Sequence, residues 1–198
     1  NVRRVVQMSP LLIHHHIIRV FDIVEIAECV FMMLELVSGG ELFDYGASQC
    51  RSMILQKALF YLAPLTSSMV FLTVLFSQKS IVHRDLKLEN ILRDSEGHIK
   101  IIDFGIASVY SHDCLLELFS GTLSYWCPEI FANTPYVGPE AEVWSLGVLL
   151  YAMLFKAFPF ENAKDDVPFD LIEKGDLTIP SDATPSEYLS THMLAGGW

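Results

Sequence analysis

The sequence predicts an α+β fold whose strands and helices are segregated along the chain. Three observations carry that expectation. Two apolar, β-branched runs, Ile17–Ile26 and Cys29–Leu36, flank a polar turn containing Glu28 and read as a strand pair. After Gly40 helical texture dominates, over Glu41–Gln78 and again in the apolar run Val143–Phe155. Finally, 198 residues are enough for a sizeable core. Surface scaling gives about 9,400 Å² folded against roughly 32,000 Å² unfolded.

The remaining elements follow in order. Arg3–Leu12 reads as the end of a helix stopped near Pro10. Ser38-Gly39-Gly40 is a breaker and the best candidate for a hinge. Pro64 falls inside the Glu41–Gln78 stretch, where it interrupts helical hydrogen bonding. Between Ile81 and Ile106 the pattern shortens to Ile81-Val82, Ile91-Leu92 and Ile99–Ile102, with Asp94-Ser95-Glu96-Gly97 as a hairpin turn. An irregular stretch runs on to Ile130. Val143–Phe155 is apolar on every side, which marks a helix buried in the middle of a protein. The tail, Pro159–Pro185, is rich in Pro and Asp, with a last helical piece at Tyr188–Leu194.

Composition excludes several function classes. The net charge is −11, and no basic cluster exceeds Arg3-Arg4, so the footprint that phosphate backbones demand is missing. Nucleic acid is not an expected partner. Cys29, Cys50, Cys114 and Cys127 form no C-x-x-C pair and read as free thiols of a reducing compartment. No apolar run reaches the ~20 residues of a membrane span. His14-His15-His16 reads as a lead-in to a strand or turn, since consecutive residues do not share a face and no carboxylate or Cys lies at ligand spacing. With Gly counted in place of Tyr the apolar share is about 54%, against the usual 45–50%.

The chemistry concentrates in His83-Arg84-Asp85-Leu86-Lys87-Leu88-Glu89-Asn90, followed by Asp103-Phe104-Gly105. Moving a phosphoryl group needs a carboxylate that orients a hydroxyl and accepts its proton, a task for Asp85. It needs a cation beside the moving group, and Lys87 stands two residues on, on the same side of an extended loop. It needs hard oxygen donors for Mg²⁺, and Asn90 and Asp103 offer them. Gly105 is expected to let the chain turn sharply after Asp103.

With these motifs the chain resembles a eukaryotic Ser/Thr protein kinase domain. Further landmarks arrive in order: Gly121-Thr122, Cys127-Pro128-Glu129, and Trp144-Ser145-Leu146-Gly147-Val148. Leu34-Glu35-Leu36-Val37 and Ser38-Gly39-Gly40-Glu41-Leu42-Phe43-Asp44-Tyr45 are similar to the hinge and following helix of the calcium/calmodulin-dependent and AMP-activated group. The resemblance implies a two-lobed fold: residues 1–37 as a remnant of the β-rich N-lobe, residues 38–198 as a C-lobe lacking its last helices. It implies ATP and Mg²⁺, with Asp85 as base, Lys87 as charge stabiliser, and Asn90 and Asp103 as metal ligands. Leu34 would be the gatekeeper, the backbones of Glu35 and Val37 would bond adenine, Glu41 would reach the ribose or a basic substrate residue, and Leu92 would floor the adenine. Lys87 after Asp85 points to protein Ser/Thr substrates. Glu41 and Glu89 suggest basic residues near the target hydroxyl, or equally a solvated face. A cytoplasmic, eukaryotic setting follows from the family.

The sequence also departs from the family pattern. It contains no G-x-G-x-x-G and no V-A-I-K strand, and Val5 stands where the helix glutamate belongs. Ser9 replaces an apolar residue expected behind Phe104. Leu118 occupies the activation-loop Thr position, which leaves Arg84 without its phosphate partner; Ser120 is a candidate substitute. Glu142 stands in place of an Asp, and its extra methylene is expected to push the carboxylate off its hydrogen bonds. Glu129 is expected to be buried and unpaired. The resemblance thus implies a chain cut at both ends. The strands ending at Leu36 should then lack sheet neighbours, and the helices around Trp144 should lack part of their C-terminal cover. Two readings stay open: a Ser/Thr kinase whose nucleotide loop lies upstream of Asn1, or a non-catalytic, pseudokinase-like binding module.

Overall fold

The computed structural model describes residues 12–27, 29–42, 80–111, 113–160, 169–181 and 183, with positions 6, 8, 60, 64 and 67. Val5, Ser9, Cys50, most of the Glu41–Gln78 stretch and the Tyr188–Leu194 piece lie outside the described residues.

The expected strand pair forms. β1 (Val20–Ile26) runs antiparallel to β2 (Cys29–Leu34), with Ile26 opposite Cys29 and Val20 opposite Leu34, and the register slips between Val20 and Asp22. β1 starts three residues later than the apolar run because Ile17 and Ile18 pair elsewhere. The Ile18 N–H donates to the Ile101 carbonyl at 2.9 Å, and the Ile101 N–H donates to the His16 carbonyl at 2.8 Å. The His triplet is therefore a lead-in, and the His16 ring also meets the Ile99 carbonyl at 3.0 Å. Phe21, Ile26, Phe31, Met33 and Leu34 are exposed, so much of the apolar excess surfaces on this hairpin.

β3 (Ser80–Val82) pairs with β6 (Ser108–Tyr110), and β4 (Ile91–Arg93) pairs with β5 (Ile99–Ile101), both antiparallel. The β4–β5 turn is the Asp94–Gly97 hairpin read from the sequence, closed by the Asp94 N–H to the His98 carbonyl at 2.9 Å. β6 lies inside the stretch read as irregular. On the far side of β4, the Arg93 N–H donates to the Gly40 carbonyl at 2.9 Å, and Glu41 bridges Leu92. Gly39 packs so closely there that a Cβ would lie 2.3 Å from the Arg93 carbonyl oxygen. Only glycine fits that approach.

α1 (Pro128–Phe131) and α2 (Gly138–Phe155) both carry Pro in their first turn, where its missing N–H costs nothing. α2 ends at Lys156 in a left-handed conformation, φ 54°. Trp144, Leu146, Val148–Ala152 and Leu154 are buried. The Trp144 ring stacks on Phe160 with centroids 5.5 Å apart. Ile172 of α3 (Phe169–Lys174), a helix that the Pro-rich tail did not suggest, joins the same core. Among the described residues no helix is long and apolar enough to cross a membrane.

Candidate active site

The His83–Asn90 loop leaves β3 and ends in a 3-10 turn at Leu88–Asn90 that leads straight into β4. His83 anchors it and is fully buried. Its Nε2 lies 2.8 Å from the Ile102 carbonyl, its Nδ1 accepts the Asp85 N–H at 3.2 Å, and its ring meets Phe104 edge-on at 4.7 Å. One ring nitrogen accepts an N–H while the other faces a carbonyl, so both ring nitrogens are engaged by the backbone.

Asp85 is held on both oxygens. Oδ1 accepts the Thr122 N–H at 2.9 Å and the Thr122 hydroxyl at 2.8 Å. Oδ2 lies 3.2 Å from Lys87 Nζ and accepts from Asn90 Nδ2 at 3.2 Å. Lys87 Nζ also donates to Thr122 Oγ1 at 2.9 Å, closing a ring of carboxylate, ammonium and hydroxyl. Burial pushes the Asp85 carboxyl up, but the Thr122 hydroxyl and the Lys87 ammonium outweigh it and hold it below the usual carboxylate value. The structure thus brings together Asp85, Lys87 and Asn90. Thr122, which the sequence reading noted only as part of a Gly-Thr landmark, completes the set. Gly121 makes this approach possible: its φ is 121°, and a Cβ would lie 2.6 Å from the Arg84 carbonyl oxygen.

Asn90 and Asp103 stand at one end of the β4–β5 hairpin, because the Ile102 N–H donates to the Asn90 carbonyl at 2.9 Å. Asn90 donates through Nδ2 to the Asp85 carbonyl at 2.8 Å as well as to its carboxylate, which leaves its side-chain oxygen for another partner. The chain turns at Gly105-Ile106 as expected, closed by the Ala107 N–H on the Phe104 carbonyl at 3.2 Å, and Asp103 just before it adopts a left-handed conformation, φ 62°. The Asp103 carboxylate accepts the Gly105 N–H at 3.1 Å, and a Cβ on residue 105 would meet that oxygen at 2.9 Å. Aspartate tolerates the left-handed region by bonding its own backbone, and glycine follows because the carboxylate needs the room. Asn90 and exposed Asp103 present one amide and one carboxylate oxygen, a donor set suited to Mg²⁺.

Near the other end of the hairpin lie Leu34, Glu35, Val37 and Glu41. The Glu35 N–H donates to the Arg19 carbonyl at 2.9 Å, and its carboxylate meets Lys100 Nζ at 2.9 Å and the Arg19 N–H at 2.7 Å. The Glu35 side chain is therefore structural. Its carbonyl and the backbone groups of Val37 make no backbone bond among the described residues. Leu34 is exposed, Leu92 half-buried, and Glu41 sits beside Leu92 through the bridge already described.

Two readings of the sequence are corrected. Glu142 keeps its grip on the loop: Oε1 accepts the Arg84 N–H at 2.7 Å. The extra methylene shows instead at Oε2, which is buried without a hydrogen-bond partner among the described residues. Arg84, at φ 70°, needs that bond to hold a conformation few non-glycine residues adopt. Burial raises the Glu142 carboxyl above its ordinary value, against the pull of His83 and Arg84. Glu129 is exposed in the first turn of α1, so its carboxylate stays in water. Cys29 and Cys114 are free and exposed, and Cys127 is free and buried, its thiol pushed up to about 12 by burial.

A hairpin linked to a carboxylate-bearing loop, an Asp-Phe-Gly turn beside that loop and a buried helix clamping it from behind define a chain of the protein-kinase class. Comparison with known proteins agrees. The protein kinase domain family matches residues 1–190, and the chain belongs to that family. It is 36% identical over 194 residues to mouse and human NUAK family SNF1-like kinase 1, covering 98% of this chain and 29% of each relative. It is 36% identical to the zebrafish serine/threonine-protein kinase SIK3 homolog, over 98% of this chain and 16% of the relative. The fission yeast serine/threonine-protein kinase ppk25 is also 36% identical, over 91% of this chain and 42% of its own length. The chain thus spans less than half the length of each of these relatives.

Proposed function

We propose that the chain forms the catalytic part of a protein Ser/Thr kinase that moves the γ-phosphoryl group of ATP onto a Ser or Thr hydroxyl of a protein. Residues 1–37 belong to the smaller lobe and 38–198 to the larger one. The observation that carries the reading is the Asp85 carboxylate, held ionised between Thr122, Lys87 and Asn90. In this reading Asp85 accepts a hydrogen bond from the attacking hydroxyl and takes its proton as the oxygen bonds the γ-phosphorus and the bond from that phosphorus to the β-phosphate oxygen breaks, ADP leaving. Lys87 Nζ, within reach of the same carboxylate, meets the charge on the transferred group. The side-chain oxygens of Asn90 and Asp103 would hold Mg²⁺, which would neutralise charge on the nucleotide phosphates. The Glu35 carbonyl and Val37 backbone bond the adenine, with Leu34 behind it, Leu92 beneath it and Glu41 at the ribose. Exposed Glu41 and Glu89 favour basic residues beside the target hydroxyl. Free thiols suit a reducing, cytoplasmic setting.

The test is a thermal-shift titration with Mg-ATP, followed by ADP release on a Ser-containing basic peptide. A ligand at a hundred times its Kd stabilises by about 2.7 kcal/mol, a shift of several degrees. No shift at millimolar nucleotide removes the enzymatic reading. It selects the alternative, a non-catalytic binding module, which Leu118 at the activation-loop hydroxyl position favours.

A further inference from the structure

Arg84 would pair with a phosphorylated activation segment, yet Leu118 removes the usual hydroxyl. Its guanidinium is nonetheless engaged. One terminal nitrogen donates to the Leu118 carbonyl at 2.6 Å and to the Ser120 hydroxyl at 2.6 Å. The Tyr136 hydroxyl donates to the same Leu118 carbonyl at 3.1 Å. Tyr136 is itself fastened to the segment, since its N–H and carbonyl exchange bonds with Leu116 at 3.0 and 2.8 Å. Burial raises the Tyr136 phenol, so it remains a donor. Both acceptors that face the guanidinium are uncharged.

The arrangement reaches Asp85 through a short path. Ser120 holds Arg84, and two residues on Thr122 holds the Asp85 carboxylate through its N–H and hydroxyl. Between them Gly121 lies against the Arg84 carbonyl. The run Ser120–Thr122 therefore lies alongside Arg84–Asp85, fixed at both ends. Displacing Ser120 releases one end and lets the other drift.

We propose that Ser120 and Tyr136 are positioning residues, an uncharged latch that holds Arg84, and through it Asp85, in working geometry with no phosphate on the segment. The inference rests on the kinase reading above. A kinase without phosphate at this point is active as made and has no on-switch there.

The whole chain is compared as wild type, Ser120→Ala, Ser120→Thr and Tyr136→Phe, each treated with a broad-specificity phosphatase and checked by intact mass. The dephosphorylated wild type keeps its rate. Ser120→Ala lowers kcat about five- to tenfold, the effect of losing one hydrogen bond to a partly solvated charge, with KM for ATP unchanged. Ser120→Thr restores the rate, and Tyr136→Phe costs about twofold. Hydrogen exchange gives a second readout: Ser120→Ala speeds exchange across 83–87 and 116–122, and Ser120→Thr does not. Loss of activity together with loss of a phosphate, or an Ala variant unchanged in both readouts, overturns the latch. If the wild type neither binds Mg-ATP nor transfers phosphate, the kinase reading fails, and hydrogen exchange still decides the latch.

Discussion

Glu142→Gln isolates the electrostatic cost of the buried carboxylate behind the loop. Glu142 is buried with Oε1 on the Arg84 N–H and Oε2 unpartnered among the described residues. Gln keeps the acceptor for Arg84 and removes the charge. Because burial raises the Glu142 carboxyl above its ordinary 4.5, the folded state binds that proton more tightly than the unfolded chain. Its contribution to stability is therefore fully present below pH 4.5 and lost as pH rises through the folded value. The wild type should lose stability relative to the variant by up to about 1.4 kcal/mol per pH unit across that window. Above the window the gap levels off, at about 2 kcal/mol for one unsatisfied buried charge. Urea unfolding of both proteins at half-unit steps from pH 4 to 8 reads this directly, since all other carboxyls cancel in the difference. At pH 4 the two should nearly coincide, and at pH 7.5 the variant should melt about 4–8 °C higher. A gap that stays constant with pH, or a wild type that gains on the variant as pH rises, refutes the argument: either outcome means that ionised Oε2 has a good partner. Glu142→Ala should behave oppositely and destabilise at every pH, because the Arg84 N–H then loses its acceptor.

Three further outcomes are expected. Asp85→Asn should cut phosphoryl transfer by about 10²–10⁴-fold while leaving the Mg-ATP melting shift in place, separating proton acceptance from binding in a peptide assay. Gly39→Ala should destabilise by about 2 kcal/mol, since the new Cβ meets two backbone carbonyl oxygens that cannot rotate away; a denaturation midpoint equal to wild type would contradict that packing. Replacing Arg and Lys upstream of the target Ser by Ala should raise KM at least several-fold, checked on a peptide series. Equal rates across the series would mean that Glu41 and Glu89 form only a solvated face.

The local features were readable because their causes are local. Alternating β-branched runs with a polar turn between them gave β1 and β2, and Asp94–Gly97 gave the β4–β5 turn. Asp85, Lys87 and Asn90 are close in the chain, so their spacing alone brings them together. The misreadings have a common origin in tertiary packing. Three residues, Ser108–Tyr110, become a strand only because β3 lies beside them. Thr122 belongs to the site through bonds that span 37 residues, which no local pattern reveals. The turn at Gly105 was legible, but the left-handed Asp103 before it, held by its carboxylate on the Gly105 N–H, was not. The Glu142 expectation assumed a fixed backbone and a longer side chain misaimed. The structure instead seats one oxygen correctly and leaves the other short of a partner among the described residues.

The loop that carries Asp85 has almost no regular structure of its own, only the turn at Leu88–Asn90. What holds it comes from elsewhere: the Ile102 carbonyl on His83, Glu142 of α2 on the Arg84 N–H, Ser120 on the guanidinium, and Thr122 on the carboxylate. Each bond links segments far apart in sequence, so the loop is ordered only as far as the packing of the larger lobe is ordered. β1 and β2 stand in contrast. Their ladder is local, and their apolar side chains lie exposed, so little in the core depends on them. Asp85, Lys87 and Asn90 therefore sit where the core enforces the geometry. A substitution in the buried helix can reach Asp85 without touching it, whereas one on the β1–β2 surface should leave that carboxylate where it is.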